Sequence, residues 1–152
     1  MTREARQAER AAGPRAWEAL LAACPPWEAR QAEALRAAVA AGFPGARQQF
    51  KAGWRAVTFA DAAVGFVCGV FVRPGGPSLY FENGAALDDP DGLFTRRMTR
   101  TAAADFPRGT RIPRRAIAAM IARSIALASV GKGGGARRPE SGRGRRSGRA
   151  GS

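Results

Sequence analysis

The sequence predicts an α+β domain in which an antiparallel sheet of about four strands packs on an N-terminal and a C-terminal helix. Three observations carry this reading. Helical periodicity comes first, strand-like runs follow, and a helix closes the chain, an order that fits segregated elements better than an alternating, doubly wound parallel sheet. Residues 64–72 are apolar on both faces, as expected of a central strand covered by helices on at least one side. Arg73-Pro74-Gly75-Gly76-Pro77 is a turn by its chemistry and joins that strand to the next as a hairpin.

Each element follows in order. Trp17, Leu20 and Leu21 form a short helical stripe that stops at Pro25-Pro26. A second helix is expected over 26–41. Pro26 suits its first position, where a missing N–H costs nothing, and Glu28 favours the positive end of its dipole. Trp27, Gln31, Leu35, Ala38 and Val39 share one face, and Gly42 followed by Pro44 marks the stop. In the strand over 55–60, Arg55, Val57 and Phe59 share a face. In the strand over 64–72, alternation puts Val64, Phe66, Cys68, Val70 and Val72 on one side and Gly65, Val67, Gly69 and Phe71 on the other. Strands over 79–82 and 97–104 complete the sheet, and 106–112 is a Pro/Gly/Arg loop. The last helix is expected over 113–129, with Ile117, Met120, Ile121, Ser124 and Ala128 on its inner face and Ile125 beside it.

The 152 residues divide by composition into a charged N-terminal extension (1–15), one domain (16–130) and a Gly/Arg-rich tail (131–152). The tail has too little apolar surface to offset its backbone entropy and is expected to be disordered. It holds seven basic side chains and one Glu, so almost half of the net charge of +13 lies there. Histidine is absent, which removes every His-based acid, base, nucleophile partner and metal ligand. Cys24 and Cys68 form no close pair and are expected to be reduced thiols in a cytoplasmic protein. The charged stretch from Thr2 to Arg10 is unlike a secretory signal, and the apolar run 62–72 is too short to span a bilayer as a helix, so no membrane partner is expected.

The hairpin over 64–82 runs into Gly84-Ala85-Ala86-Leu87-Asp88-Asp89-Pro90-Asp91-Gly92-Leu93 and then to a closing helix rich in Ile and Ala. This passage resembles the YdhG-like family, small bacterial proteins classed as a domain of unknown function, over about two thirds of the chain. The resemblance implies an antiparallel sheet packed on helices. Some members are similar in architecture to frataxin and are described as intracellular iron chaperones, so iron is the cofactor or cargo that the resemblance implies. Family members commonly carry a Gly-containing, Lys-bearing turn after the Asp-Pro loop. Here Phe94-Thr95-Arg96-Arg97-Met98-Thr99-Arg100 has no Gly.

No reaction is spelled out by these residues, and no nucleophile–base pairing is evident. The leading expectation is a non-enzymatic cytoplasmic binding domain for a small anionic metabolite carrying a carboxylate or phosphate. Arg96, Arg97, Arg100, Arg108, Arg111, Arg114 and Arg115 offer forked donors for such a group, and in an alternating strand Arg96 and Arg100 share a face. Gly65 and Gly69 mark close approach by a helix or by a ligand resting on the sheet, with Trp54 or Tyr80 as its wall. The candidate ligand site is therefore Trp54, Gly65, Gly69, Tyr80, Arg96 and Arg100, with no catalytic and no metal residue assigned. One alternative is an iron-binding surface of Glu82, Asp88, Asp89 and Asp91, although Asp-Pro and Asp-Gly are also ordinary turn formers, with Leu87 plugging the core beneath them. The other is weak, sequence-independent nucleic-acid binding by the tail, whose six Arg residues are spaced to track phosphates but have no aromatic among them.

Overall fold

The computed structural model describes residues 2–134. Three α-helices, α1 (Arg3–Ala22), α2 (Pro26–Gly42) and α3 (Arg114–Gly134), enclose one side of an antiparallel sheet. Its six strands are β1 (Arg47–Lys51), β2 (Ala56–Asp61), β3 (Gly65–Phe71), β4 (Ser78–Phe81), β5 (Arg96–Arg97) and β6 (Ala102–Asp105), in the order β1-β2-β3-β4-β6-β5. The fold class is the α+β arrangement expected, with β3 central, but the sheet has six strands rather than about four. Two short 3-10 turns, Ala52–Trp54 and Gly84–Ala86, interrupt the connections.

The helices form where capping and apolar spacing agree. The Thr2 hydroxyl accepts the Ala5 N–H at the start of α1, which continues through Pro14 and buries Trp17. Helix α1 crosses the expected boundary at residue 15. Helix α3 likewise runs past residue 130 to Gly134, and the rest of the expected tail, 135–152, lies outside the described residues. Leu35 and Val39 of α2 and Ile117, Met120 and Ile121 of α3 meet the sheet residues Val57, Phe59, Cys68, Val70, Leu79 and Phe81 in a single core. Burying each large apolar side chain of this kind contributes about 1.5–3 kcal/mol.

One strand is added to those expected, and two strand expectations are corrected. Residues 47–51 form an edge strand in register with β2, with Phe50 opposite Val57. The single strand expected over 97–104 is a hairpin: Arg96 and Arg97 pair with Ala103 and Ala102, and the Met98 N–H donates to the Thr101 carbonyl at 2.8 Å to close the turn. Strict alternation along 64–72 also fails. Phe59 pairs with Cys68 but Ala60 pairs with Phe66, so Val67 is the extra residue of a bulge. The bulge turns Val67 into the core and leaves Phe66 39% exposed, away from the Cys68 face to which alternation assigned it.

All three helices contribute to the core on one side, and the opposite side of the sheet has no helix over it among the described residues. That open face presents Thr58, Gly69, Phe71, Ser78, Tyr80, Ala103 and Asp105, in register across β2, β3, β4 and β6.

Candidate functional site

The open face is built from a row of aromatic rings leading into a charged cleft. Gly69 of β3 lies directly opposite Tyr80 of β4. The missing side chain at Gly69 is replaced by the ring of Phe71, whose Cε1 would stand 3.1 Å from a Cβ there, so the glycine admits a neighbouring side chain rather than a helix. Phe71 stacks on Trp54 with ring centroids 6.4 Å apart and planes 13° apart, and meets Tyr80 edge-on at 5.0 Å. Offset and edge-to-face pairs of this kind contribute about 0.5–1.5 kcal/mol each beyond their buried area. Trp54 projects from the 3-10 turn and is 58% exposed, with the Lys51 ammonium 5.0 Å from its ring centroid.

At the far end two guanidiniums converge on one phenol oxygen. Arg73 Nη1 donates to Tyr80 Oη at 2.9 Å and Arg96 Nη2 donates to it at 3.0 Å. Arg96 also grips Asp105 through two parallel bonds, Nε to Oδ2 at 2.7 Å and Nη2 to Oδ1 at 2.8 Å, and lies over the Tyr80 ring. Ser78 donates to Asp105 Oδ1 at 2.6 Å and Thr95 to its Oδ2 at 3.1 Å. Arg73, Gly75, Gly76, Ser78, Arg96 and Asp105 line a cleft of about 290 Å³. Among the described residues Arg73 has no carboxylate partner and is exposed, so most of its donors face solvent.

The Arg96 guanidinium, aided by the Ser78 and Thr95 hydroxyls, holds the Asp105 carboxyl well below the usual carboxylate range. A depressed folded-state pKa contributes stability above the unfolded value near 4 and loses it as the pH falls below about 4. Both side chains are about one-third exposed, at 37% and 35%, so solvent screening keeps the contribution under about 1 kcal/mol. Asp105→Asn is therefore expected to be slightly less stable than the wild type at pH 6, with the difference narrowing at pH 3. Urea unfolding at both pH values measures it, and a difference that widens on acidification would contradict the assignment.

A second and larger groove of about 550 Å³ lies between α1, α2 and β1 and includes Trp17, Glu33, Arg36 and Phe50. Its cation is already paired: Arg36 pairs with Glu33 at 2.7 Å and reaches Gln48, while the Trp17 indole N–H donates to Glu33. The groove therefore presents no uncommitted cation, unlike the cleft at Arg73.

The structure brings Trp54, Gly69, Tyr80 and Arg96 of the expected set onto one face. Gly65 does not join them; it holds φ +84° at the start of β3, beyond the bulge, as part of the turn from β2. Arg100 also falls outside the row, because the β5–β6 hairpin places it in an exposed turn where its carbonyl accepts the Ala85 N–H. The seven-arginine cluster disperses. Arg97 donates to the Gly84 and Ala85 carbonyls, and Arg108 lies over Trp27. Asp89 accepts the Leu93 and Phe94 N–H groups at 2.7 and 2.8 Å, which is turn scaffolding, and Leu87 is buried beneath it. Among the described residues no group of three His, Cys, Asp or Glu side chains is placed to hold a metal ion. Cys24 and Cys68 are both free thiols, and burial pushes the Cys68 thiol up, away from thiolate chemistry. Among the described residues no helix is long and apolar enough to cross a membrane.

Phe71, Arg73, Ser78 and Asp105 were not among the expected site residues. Arg73 sits in a stretch whose Pro and Gly content reads as a turn, and only the strand register shows that its guanidinium reaches Tyr80. No family model, curated protein or solved structure matches the chain.

Proposed function

We propose that this protein is a non-enzymatic binding domain that takes an anionic ligand on the open face of its sheet. The observation that supports this most is the pair of guanidiniums on Tyr80 Oη, of which only Arg96 is neutralised by a carboxylate. A phosphate or carboxylate entering the cleft meets the remaining donors of Arg73, already oriented by the phenol, so little side-chain freedom is lost on binding. The absence of histidine and the inert Cys68 thiol favour binding over catalysis. Kinship with the YdhG-like family is part of the same reading and rests on the 84–93 passage. An iron-handling role has less support, because the Asp89 carboxylate is committed to backbone N–H groups.

Titration with inorganic phosphate, pyrophosphate and citrate by calorimetry tests the proposal. A charge-assisted hydrogen bond contributes about 1.5–3 kcal/mol, so Arg73→Ala is expected to weaken anion binding by at least about tenfold. Arg73 is exposed, and the fold is expected to be unaffected by the change. Equal affinity in the wild type and the variant would remove the cleft as the site.

A further inference from the structure

We infer that the open sheet face binds single-stranded nucleic acid, with a base stacked on Trp54 and the adjoining phosphates held by the cations around it. The inference rests on the anion-binding reading above and names the chemical class of the ligand.

Two independent features of the face point the same way. The first is the aromatic row. An indole left 58% exposed beside a sheet offers a large flat surface, and its stacking on Phe71 fixes that surface before any ligand arrives. A stacking base takes the place of the Lys51 ammonium that lies over the ring and frees that ammonium for a phosphate. Phe71 in turn stands edge-on to Tyr80, so the stacking surface and the phenol that gathers Arg73 and Arg96 belong to one continuous row. The two ring-to-ring steps, of 6.4 and 5.0 Å, link Trp54 to Tyr80 through Phe71 alone. The second feature is charge. By strand register Arg47 and Lys51 of β1 lie on this side with Arg96, and Arg73 reaches it through Tyr80. Against these four cations stand Asp105, which Arg96 holds, and Glu82 just past the end of β4. The chain as a whole carries +13, which suits a polyanion.

A metabolite with charge but no ring uses only the cleft, and a neutral ring uses only Trp54. A strand with unpaired bases uses both, because every base has a face to stack and a phosphate beside it. A duplex keeps its bases stacked on each other and leaves Trp54 without a partner. The basic stretch 131–152 adds attraction to any phosphate chain, more for a duplex than for a single strand because of the duplex's higher charge density, and so does not generate this preference.

Fluorescence anisotropy with the full chain distinguishes the readings. The probes are labelled oligodeoxyuridylate and oligouridylate about twelve nucleotides long, a duplex of equal length, and polyphosphate as competitor. Both single strands are expected to bind more tightly than the duplex. Trp54→Ala is expected to weaken them by about tenfold while leaving competition by polyphosphate unchanged, and Trp54→Phe to retain most of the affinity. A clear preference between the two single strands assigns the sugar. Oligonucleotide affinity that is the same in Trp54→Ala, or a Trp54→Ala loss as large for the duplex as for the single strands, would overturn the inference. If polyphosphate competition is then still weakened by Arg73→Ala, the anion-binding reading stands without it; if not, both fail. A dimer seen by light scattering without oligonucleotide and lost in Trp54→Ala would give the face to a second copy of the chain and overturn the inference too.

Discussion

Gly76→Ala is expected to destabilise the domain by about 3–5 kcal/mol, a large share of the roughly 5–15 kcal/mol that holds a small domain together. Gly76 ends the turn between β3 and β4 with φ +129°, a region that other residues adopt only at a cost of about 1–3 kcal/mol. A side chain there would also collide with the Phe106 carbonyl oxygen and come within 3.0 Å of the Phe106 carbonyl carbon and of Pro107 Cα. These are backbone atoms and cannot swing aside, so overpacking adds about 1–3 kcal/mol more. The contact is structural for the cleft, because the Phe106 N–H donates to the Pro77 carbonyl at 2.9 Å and ties the turn to the end of β6. Gly75→Ala is the internal control. Gly75 has φ +91° but open space around its Cα, so strain alone applies and about 1–2 kcal/mol is expected. Urea unfolding followed by tryptophan fluorescence separates the two. Equal losses would mean that the approach of the 106–107 backbone contributes nothing.

The sequence was legible where one signal dominated. Apolar spacing marked the inner faces of α2 and α3, and Ile117, Met120 and Ile121 are buried as that spacing requires. The two-faced apolar run marked β3 as central. Strand β1 was missed because it is an edge: Arg47-Gln48-Gln49-Phe50-Lys51 has one apolar residue, and an edge strand needs no more than one to anchor it. The β5–β6 hairpin was missed because its turn contains no Gly, Pro or Asn, and the backbone bond from Met98 to Thr101 closes it without them. The bulge at Val67 is invisible to a period-two reading, since Phe66 and Val67 are both apolar and either suits the core.

The candidate site was half legible for the same reason. Trp54, Tyr80 and Arg96 stand out as residue types, but whether they meet depends on register, which periodicity does not supply. The structure aligns Gly69, Tyr80, Ala103 and Arg96 across four strands, and that alignment makes a row of what were separate residues. Arg100 joins the row only if the strand runs unbroken from Arg96. Once residues 98–101 turn, the alternation that linked it to Arg96 no longer applies.

Gly84→Ala is expected to cost about 3 kcal/mol, although nothing about its φ demands glycine. The demand comes from distance. A Cβ on Gly84 would lie 2.5 Å from the Ala102 nitrogen and 2.6 Å from the Ala102 Cβ, far inside van der Waals contact. Relief requires the 3-10 turn Gly84–Ala86 to move off β6, and that turn is held from two sides. Arg97 Nη1 donates to the Gly84 and Ala85 carbonyls at 3.2 and 3.1 Å, and the Ala85 N–H donates to the Arg100 carbonyl at 3.2 Å. On the other side Asn83 Nδ2 donates to the Ser124 carbonyl at 3.1 Å, while Ser124 Oγ donates to Asn83 Oδ1 at 2.7 Å, which ties the turn to α3. Movement sacrifices several of these bonds, each contributing about 0.5–1.5 kcal/mol, in addition to the overpacking itself. Gly53→Ala, with open space around it and no left-handed φ, is expected to be neutral or to stabilise by up to about 1 kcal/mol through the unfolded chain. Adding Ala102→Gly to Gly84→Ala removes the Cβ–Cβ collision but leaves the one with the Ala102 nitrogen. The double variant should therefore be more stable than the sum of the two single changes, yet short of full recovery. Strict additivity in urea unfolding would show that the turn and β6 do not touch at this point.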